Sequence, residues 1–295
     1  MKGFGRILTA MVTPMKENGE VNYEEAGKLA RHLVETGSEG VVVSGTTGES
    51  PVLSVEEKCQ LFKVVREAVT GKAAVIAGTG SYNTADSIEL TKQAEKIGCD
   101  GIMLVTPYYN KPSQEGLYRH FKAVASQTGL PVILYNVPGR TALNMLPETV
   151  ARLAAIENII AVKEASGSLD QVAEIKRMTP GDFLVYSGDD SMTLPILSVG
   201  GYGVISVASH LAGKMIQEMV TSFVTGKVKT ARELHLKLFP LYKVLFITTN
   251  PVPVKAAVEF IGIKAGAPRL PLVRATEQEV NAIKQVMGEL GLLLP

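Results

Sequence analysis

The sequence is poor in the features that mark several large classes of protein. It has two cysteines in 295 residues, Cys59 and Cys99, too few for a disulfide framework. Each falls in or beside an expected helix, and both are read as reduced thiols. No block of like charges occurs, and 30 basic residues against 29 acidic ones leave a formal charge of +1. Holding nucleic acid or an anionic membrane takes a basic patch, so neither partner is expected. The longest apolar runs are strand-sized, well below the ~20 residues that cross a bilayer. The N-terminal stretch lacks the basic region, apolar segment and cleavage site of a secretion signal. The expectation is a cytoplasmic protein with a small-molecule partner.

Several signature motifs are missing as well. The four histidines, His32, His120, His210 and His235, lie far apart, three of them in expected helices, and no Cys/His/Asp spacing resembles a metal site. There is no G-x-S-x-G of the serine hydrolases. The Gly-rich stretches GTTGES and AGTGSYN lack the G-K-[ST] ending of a P-loop, which leaves a carboxylate as the anion they would hold.

What is present is a core-forming composition, 46% hydrophobic and 20% charged, arranged in a repeating order. Short β-branched runs end at Pro14 and recur at 40–50, 73–83, 101–110, 131–141, 159–167, 183–190 and 203–209. They are continuous rather than alternating, as parallel strands covered on both faces require. Helical patterns separate them. Ser54 with Glu57 reads as a capping box, Pro147 as the first turn of a helix, and Gly37, Gly71, Gly98 and Gly129 as C-terminal caps. Eight β–α units over about 225 residues predict a (β/α)8 TIM barrel over 1–226. A doubly wound sheet would carry a G-x-G-x-x-G after its first strand, and TPMKENGE stands there instead. Residues 227–295 read as a helical appendage of three helices, with proline breaks at 251–253 and 268–271.

In such barrels chemistry sits at the C-terminal ends of the strands. That rule selects Thr46, Thr47, Tyr108, Tyr109, Tyr135, Arg140, Lys163, Ser187 and Asp189. Lys163 lies within the apolar run Ile159–Ala165, where an ammonium must find a partner or lose its proton. A neutral amine there would be the nucleophile of imine chemistry; the alternative is a structural lysine paired with Glu164 or another carboxylate. Tyr135 ends the neighbouring fifth strand, either within reach of Lys163 or as a half-buried core residue. Tyr108 and Tyr109 end the fourth, and two adjacent side chains cannot both point inward. Arg140, on the loop after strand five, is placed either to hold a carboxylate or to face solvent.

Taken in order, GTTGE at 45–49, TPYYNKP at 106–112, YNVPGRT at 135–141, AVKEASG at 161–167 and SGDD at 187–190 resemble the dihydrodipicolinate synthase family, as do NPVPVKAA at 250–257 and RLPL at 269–272. The resemblance spans essentially the whole chain. It implies that Lys163 forms an imine with pyruvate, whose enamine attacks L-aspartate 4-semialdehyde. Ring closure then gives 4-hydroxy-tetrahydrodipicolinate, the first committed product of diaminopimelate and lysine biosynthesis, with no cofactor. By the same resemblance Thr46, Tyr135 and Tyr109 form a proton relay, Thr47 binds the pyruvate carboxylate and Arg140 that of the semialdehyde. Gly188 and Ile205 shape the pyruvate pocket through their backbone. Lys255 is expected to be a surface or packing lysine. The family's usual form implies a homotetramer of tight dimers, with Tyr109 reaching into the neighbour's site.

Related Schiff-base lyases, such as N-acetylneuraminate lyase and sugar-acid aldolases, share the barrel, the lysine and the YN-x-P tyrosine, and remain the alternative. The double threonine, the YYN and Arg140 resemble the synthase branch. A barrel reduced to a binding module would be expected to have lost Lys163, Tyr135 or Arg140. The resemblance also implies an allosteric lysine pocket. Ser50, Leu53 and Tyr108 suit it, whereas the family's histidines are replaced by Val55 and Lys58, its asparagine by Tyr82 and its glutamate by Asp86. Weak or absent feedback by L-lysine is therefore expected.

Overall fold

A computed structural model describes residues 3–293; positions 1, 2, 294 and 295, the outer ends of the two expected regions, lie outside the described residues. Eight parallel strands close into a barrel in sequence order, the first pairing with both the second and the last. The first half runs β1 Ile7–Ala10, α1 Tyr23–Glu35, β2 Gly40–Val43, α2 Val55–Val69, β3 Ala74–Gly78, α3 Thr84–Ile97, β4 Gly101–Val105 and α4 Gln114–Ala125. The second runs β5 Val132–Asn136, α5 Pro138–Thr141, α6 Pro147–Ala154, β6 Ile159–Glu164, α7 Leu169–Met178, β7 Leu184–Ser187, α8 Thr193–Ser198, β8 Gly203–Ser206 and α9 Ser209–Val224. Three helices follow: α10 Val228–Val244, α11 Val252–Glu259 and α12 Glu277–Glu289.

Successive strand residues face opposite ways, and here both faces are buried. Leu8, Val42, Ile76, Met103, Ile133, Tyr186 and Ile205 form the inner core. Their neighbours Ile7, Val41, Val75, Ile102, Val132 and Val204 pack under the helices. This two-sided burial is why the strands read as unbroken apolar runs.

The Ser54–Glu57 capping box opens α2 as expected, and Pro147 opens α6. Gly37, Gly71 and Gly98 take positive φ at helix ends, the conformation that a C-terminal cap requires. Gly129 does not: α4 stops at Ala125, capped at Ser126, and the Gly129 N–H donates instead to the Glu95 carboxylate at 2.9 Å. Pro251, the N-cap of α11, ends the link that separates α10 from α11, and Pro253 sits in the first turn of α11, which needs no N–H from it. All four histidines, not three, fall in helices.

The C-terminal helices pack onto the barrel, α10 along α9 and α12 across α10 and α11. Lys255 in α11 is not a surface residue. It is 1% exposed, and its ammonium pairs with the Glu49 carboxylate at 2.7 Å. No helix among the described residues is long and apolar enough to cross a membrane.

Candidate active site

The strand ends converge on a cavity of about 270 Å³ lined by Thr46, Thr47, Tyr135, Arg140, Lys163, Gly188, Asp189 and Asn250 among others. A second cavity of about 230 Å³ shares Thr46, Tyr135, Val137 and Arg140 with it and continues toward Ser44, Ser50 and Tyr108. One cleft thus brings together residues from seven strand ends and from the C-terminal region.

Strand pairing sets the centre of this cleft. Tyr135 and Lys163 are partners in the β5–β6 register, so their side chains emerge side by side on the inner face. The Lys163 Nζ lies 4.3 Å from the centre of the Tyr135 ring. The next pair, Asn136 and Glu164, faces the other way. The Glu164 carboxylate accepts hydrogen bonds from Ser166 N at 2.7 Å and from Asn136 Nδ2 and Gln171 Nε2 at 3.1 Å each. It does not pair with Lys163, which removes the structural alternative that the sequence left open. The two most buried ion pairs among the described residues are Lys255–Glu49 and Arg269–Glu57.

Lys163 is 5% exposed. Burial pulls its pKa down to about 8; the Asp190 carboxylate opposes this and the Arg140 charge assists it. At neutral pH an appreciable fraction of the amine therefore carries a free lone pair, as attack on a carbonyl needs. Burial pushes the Tyr135 phenol upward, with the Arg140 charge and the Thr46 hydroxyl pulling the other way. Asp190 is held by Ser206 Oγ and by the N–H groups of Val207 and Ala208, both at 2.9 Å, which fastens the β7 end to the start of α9.

Gly188 has no room for a side chain. A Cβ there would stand 2.7 Å from Ala165 Cβ and 3.2 Å from Lys163 Cε, so its backbone forms the wall of the lysine's pocket. Ile205 is 1% exposed in the inner barrel core and lines neither cavity. Arg140 sits on the one-turn helix α5 rather than on a loop; Pro138 supplies a first-turn residue that needs no donor.

Asn250 went unrecognised in the sequence. Its Nδ2 donates to Thr47 Oγ1 at 2.9 Å and its carbonyl accepts from Arg140 Nη2 at 3.2 Å, so it ties both expected carboxylate binders together. Its Oδ1 is buried without a partner among the described residues, as is the Ser44 hydroxyl. The signal was the NPVPVKAA segment, which carried family resemblance without a role for its asparagine.

Tyr109 is not brought to the cleft. It is 92% exposed and has φ 71°, while Tyr108 turns inward and meets Tyr82 edge-on, ring centres 5.2 Å apart. Of the other expected allosteric positions, Ser50 shares the second cavity with Tyr108. Leu53 is buried, Val55, Tyr82 and Asp86 are exposed, and Lys58 is intermediate. Partial burial lowers the Lys58 pKa, against the pull of Cys59 and Asp86.

A closed parallel barrel with a reactive-residue cleft at its strand ends is the architecture of a TIM-barrel enzyme. The model of the Dihydrodipicolinate synthetase family matches residues 3–290, and the chain belongs to that family. A 4-hydroxy-tetrahydrodipicolinate synthase of Desulforudis audaxviator is 61% identical over 290 residues, 98% of this chain and 99% of the relative. Among solved structures, a dihydrodipicolinate synthase of Cyanidioschyzon merolae with lysine bound superposes with a TM-score of 0.97 at 49% identity, covering 98% of this chain and 99% of that one. A chloride-inhibited dihydrodipicolinate synthase of Acinetobacter baumannii complexed with pyruvate gives a TM-score of 0.96 at 38% identity, covering 99% and 100%.

Proposed function

We propose that this chain condenses pyruvate with L-aspartate 4-semialdehyde to give 4-hydroxy-tetrahydrodipicolinate, through an imine on Lys163. The observation that carries this reading is the buried Lys163 amine, free of any carboxylate pair and set beside Tyr135 at the strand ends.

The neutral amine attacks the keto carbon and water leaves, giving an imine. Loss of a methyl proton makes the enamine, whose carbon attacks the aldehyde. The amine of the semialdehyde then adds to the imine carbon, closes the ring and expels Lys163. Thr46, Tyr135 and Tyr109 move the protons; such general acid–base help is worth about 10²–10⁴-fold. Thr47 holds the pyruvate carboxylate and Arg140 that of the semialdehyde, bidentately. Gly188 leaves space for the lysine, and Ile205, packed in the inner barrel core beneath the cavities, shapes the pyruvate pocket through its backbone. The imine is itself the electron sink, so the chemistry needs no cofactor.

Tyr109 joins the relay of a neighbouring copy. Its exposure and left-handed backbone support a role outside its own barrel, within a homotetramer built from tight dimers. The substrates are small, polar metabolites, and the enzyme is cytoplasmic.

A product assay tests the substrate. Semialdehyde with pyruvate should give the cyclic product, while N-acetylmannosamine and glyoxylate, the aldol partners of related lyases, should give no condensation. Turnover of either aldol partner with no cyclic product would place the chain among those lyases instead.

A further inference from the structure

Glu49 closes the GTTGE motif, yet no step of the reaction uses its carboxylate. It is 3% exposed. One oxygen accepts from Lys255 Nζ at 2.7 Å and the other from the Arg269 backbone N–H at 2.8 Å. Lys255 gives its remaining donors to the carbonyls of Thr13, at 3.0 Å, and Ala267, at 3.2 Å. All three ammonium donors are therefore engaged, as a buried charge demands.

The backbone that this pair holds is unusual. Ser44 and Glu49 both take left-handed conformations, φ 57° and 59°, and they bracket Thr46 and Thr47. For residues other than glycine such conformations persist only where the surroundings enforce them. Gly48 passes so near Ser44 and the Met11 carbonyl that a Cβ would stand 3.1 and 3.2 Å from them. The Thr13 hydroxyl donates to the Gly48 carbonyl at 2.7 Å. The Arg269 side chain adds an outer tier, donating to the carbonyls of Gly19 and Val52 and to the Glu57 carboxylate, each at 2.8 Å. Stability alone would not call for charge here, because a buried ion pair replaced by apolar groups of similar size often costs nothing. What the pair supplies is direction.

We propose that Glu49 and Lys255 are positioning residues of the active site: their buried ion pair fixes the turn that aims the Thr46 and Thr47 hydroxyls into the Lys163 cavity. The C-terminal segment is thereby a working part of the catalytic centre, tied to it across 206 residues of sequence. The proposal rests on the reading of Lys163 as the imine-forming lysine and of the two threonines as its helpers.

The test is the double variant Glu49→Gln with Lys255→Met, which leaves no unpaired buried charge and keeps an oxygen for the Arg269 N–H. Active sites are counted by exhaustive borohydride trapping with pyruvate at Lys163, and kcat and the KM for pyruvate are expressed per trapped site. Positioning predicts that kcat per site falls roughly tenfold or more and that KM rises, since displacing a reactive group by an ångström costs about a hundredfold. Parental kcat and KM per site, with only the number of sites reduced, would make the pair purely structural and overturn the proposal. Should the double variant fail to fold, Glu49→Asp decides, because it keeps both buried charges and shortens by one methylene the tether between the turn and Lys255. It should shift both constants in the same direction by a smaller factor, and unchanged constants would overturn the proposal equally. Absence of any Lys163 adduct in the parent protein would instead refute the imine chemistry itself.

Discussion

Replacing Gly188 by alanine places one methyl group where the structure has no room for it. The added carbon would lie 2.7 Å from Ala165 Cβ, 3.2 Å from the Glu164 carbonyl and 3.2 Å from Lys163 Cε. Carbon atoms prefer about 3.5–4.0 Å, so the first contact is roughly an ångström too short. The Gly188 N–H is bound to the Glu164 carbonyl at 2.8 Å, which limits how far the β7 end can retreat. Overpacking of this kind costs about 1–3 kcal/mol, or about 2–5 °C of melting temperature in a chain of this size. The flexible neighbour is Lys163, whose Cε must give by a few tenths of an ångström. If a full ångström costs about a hundredfold, this shift should slow imine formation roughly three- to tenfold. Calorimetry reads the first effect and the time course of borohydride-trapped adduct reads the second. A Gly188→Ala protein that melts and traps pyruvate like the parent would refute this view of the pocket wall.

Arg140→Ala should lower kcat/KM for the semialdehyde roughly ten- to hundredfold, the worth of a charge-assisted contact of about 1.5–3 kcal/mol, while pyruvate trapping survives; unchanged semialdehyde kinetics would show that Arg140 faces solvent. Tyr109→Phe and Thr46→Val should each slow turnover, and mixing the two variants should restore part of the activity, because half of the sites in a mixed dimer keep both hydroxyls. No recovery in verified mixed dimers would confine Tyr109 to its own subunit or to no role. L-lysine should not inhibit in the submillimolar range, because Lys58 places a cation where a cationic ligand must sit and like charges disfavour each other within about 4–6 Å; strong saturable inhibition would contradict this.

The barrel was legible because two-sided burial writes each parallel strand as an apolar run, and because Ser54, Pro147 and Gly98 punctuate the helices between them. Lys163 was legible for a related reason: an ammonium inside such a run conflicts with its surroundings. The misreadings came where distant parts of the chain decide. Gly129 ends no helix because α4 stops four residues earlier and Glu95 takes its N–H. Arg140 looked like a loop residue because a single helical turn opened by Pro138 has no periodicity to detect. Lys255 looked peripheral because its partner, Glu49, lies 206 residues away. Asn250 meets Thr47 across a comparable gap, 203 residues. Local pattern carries the scaffold, whereas pairing between the first loops and the last helices exists only after folding.

The imine is tested most directly by treating the protein with pyruvate and sodium borohydride across a pH series and mapping the modified peptide. The reduced pyruvate adduct should sit on Lys163. Its rate of formation should climb as pH rises toward about 8 and level off above, because the amine, its pKa lowered by burial, attacks only when unprotonated. An adduct on Lys255, or none on any lysine, would contradict imine formation at Lys163.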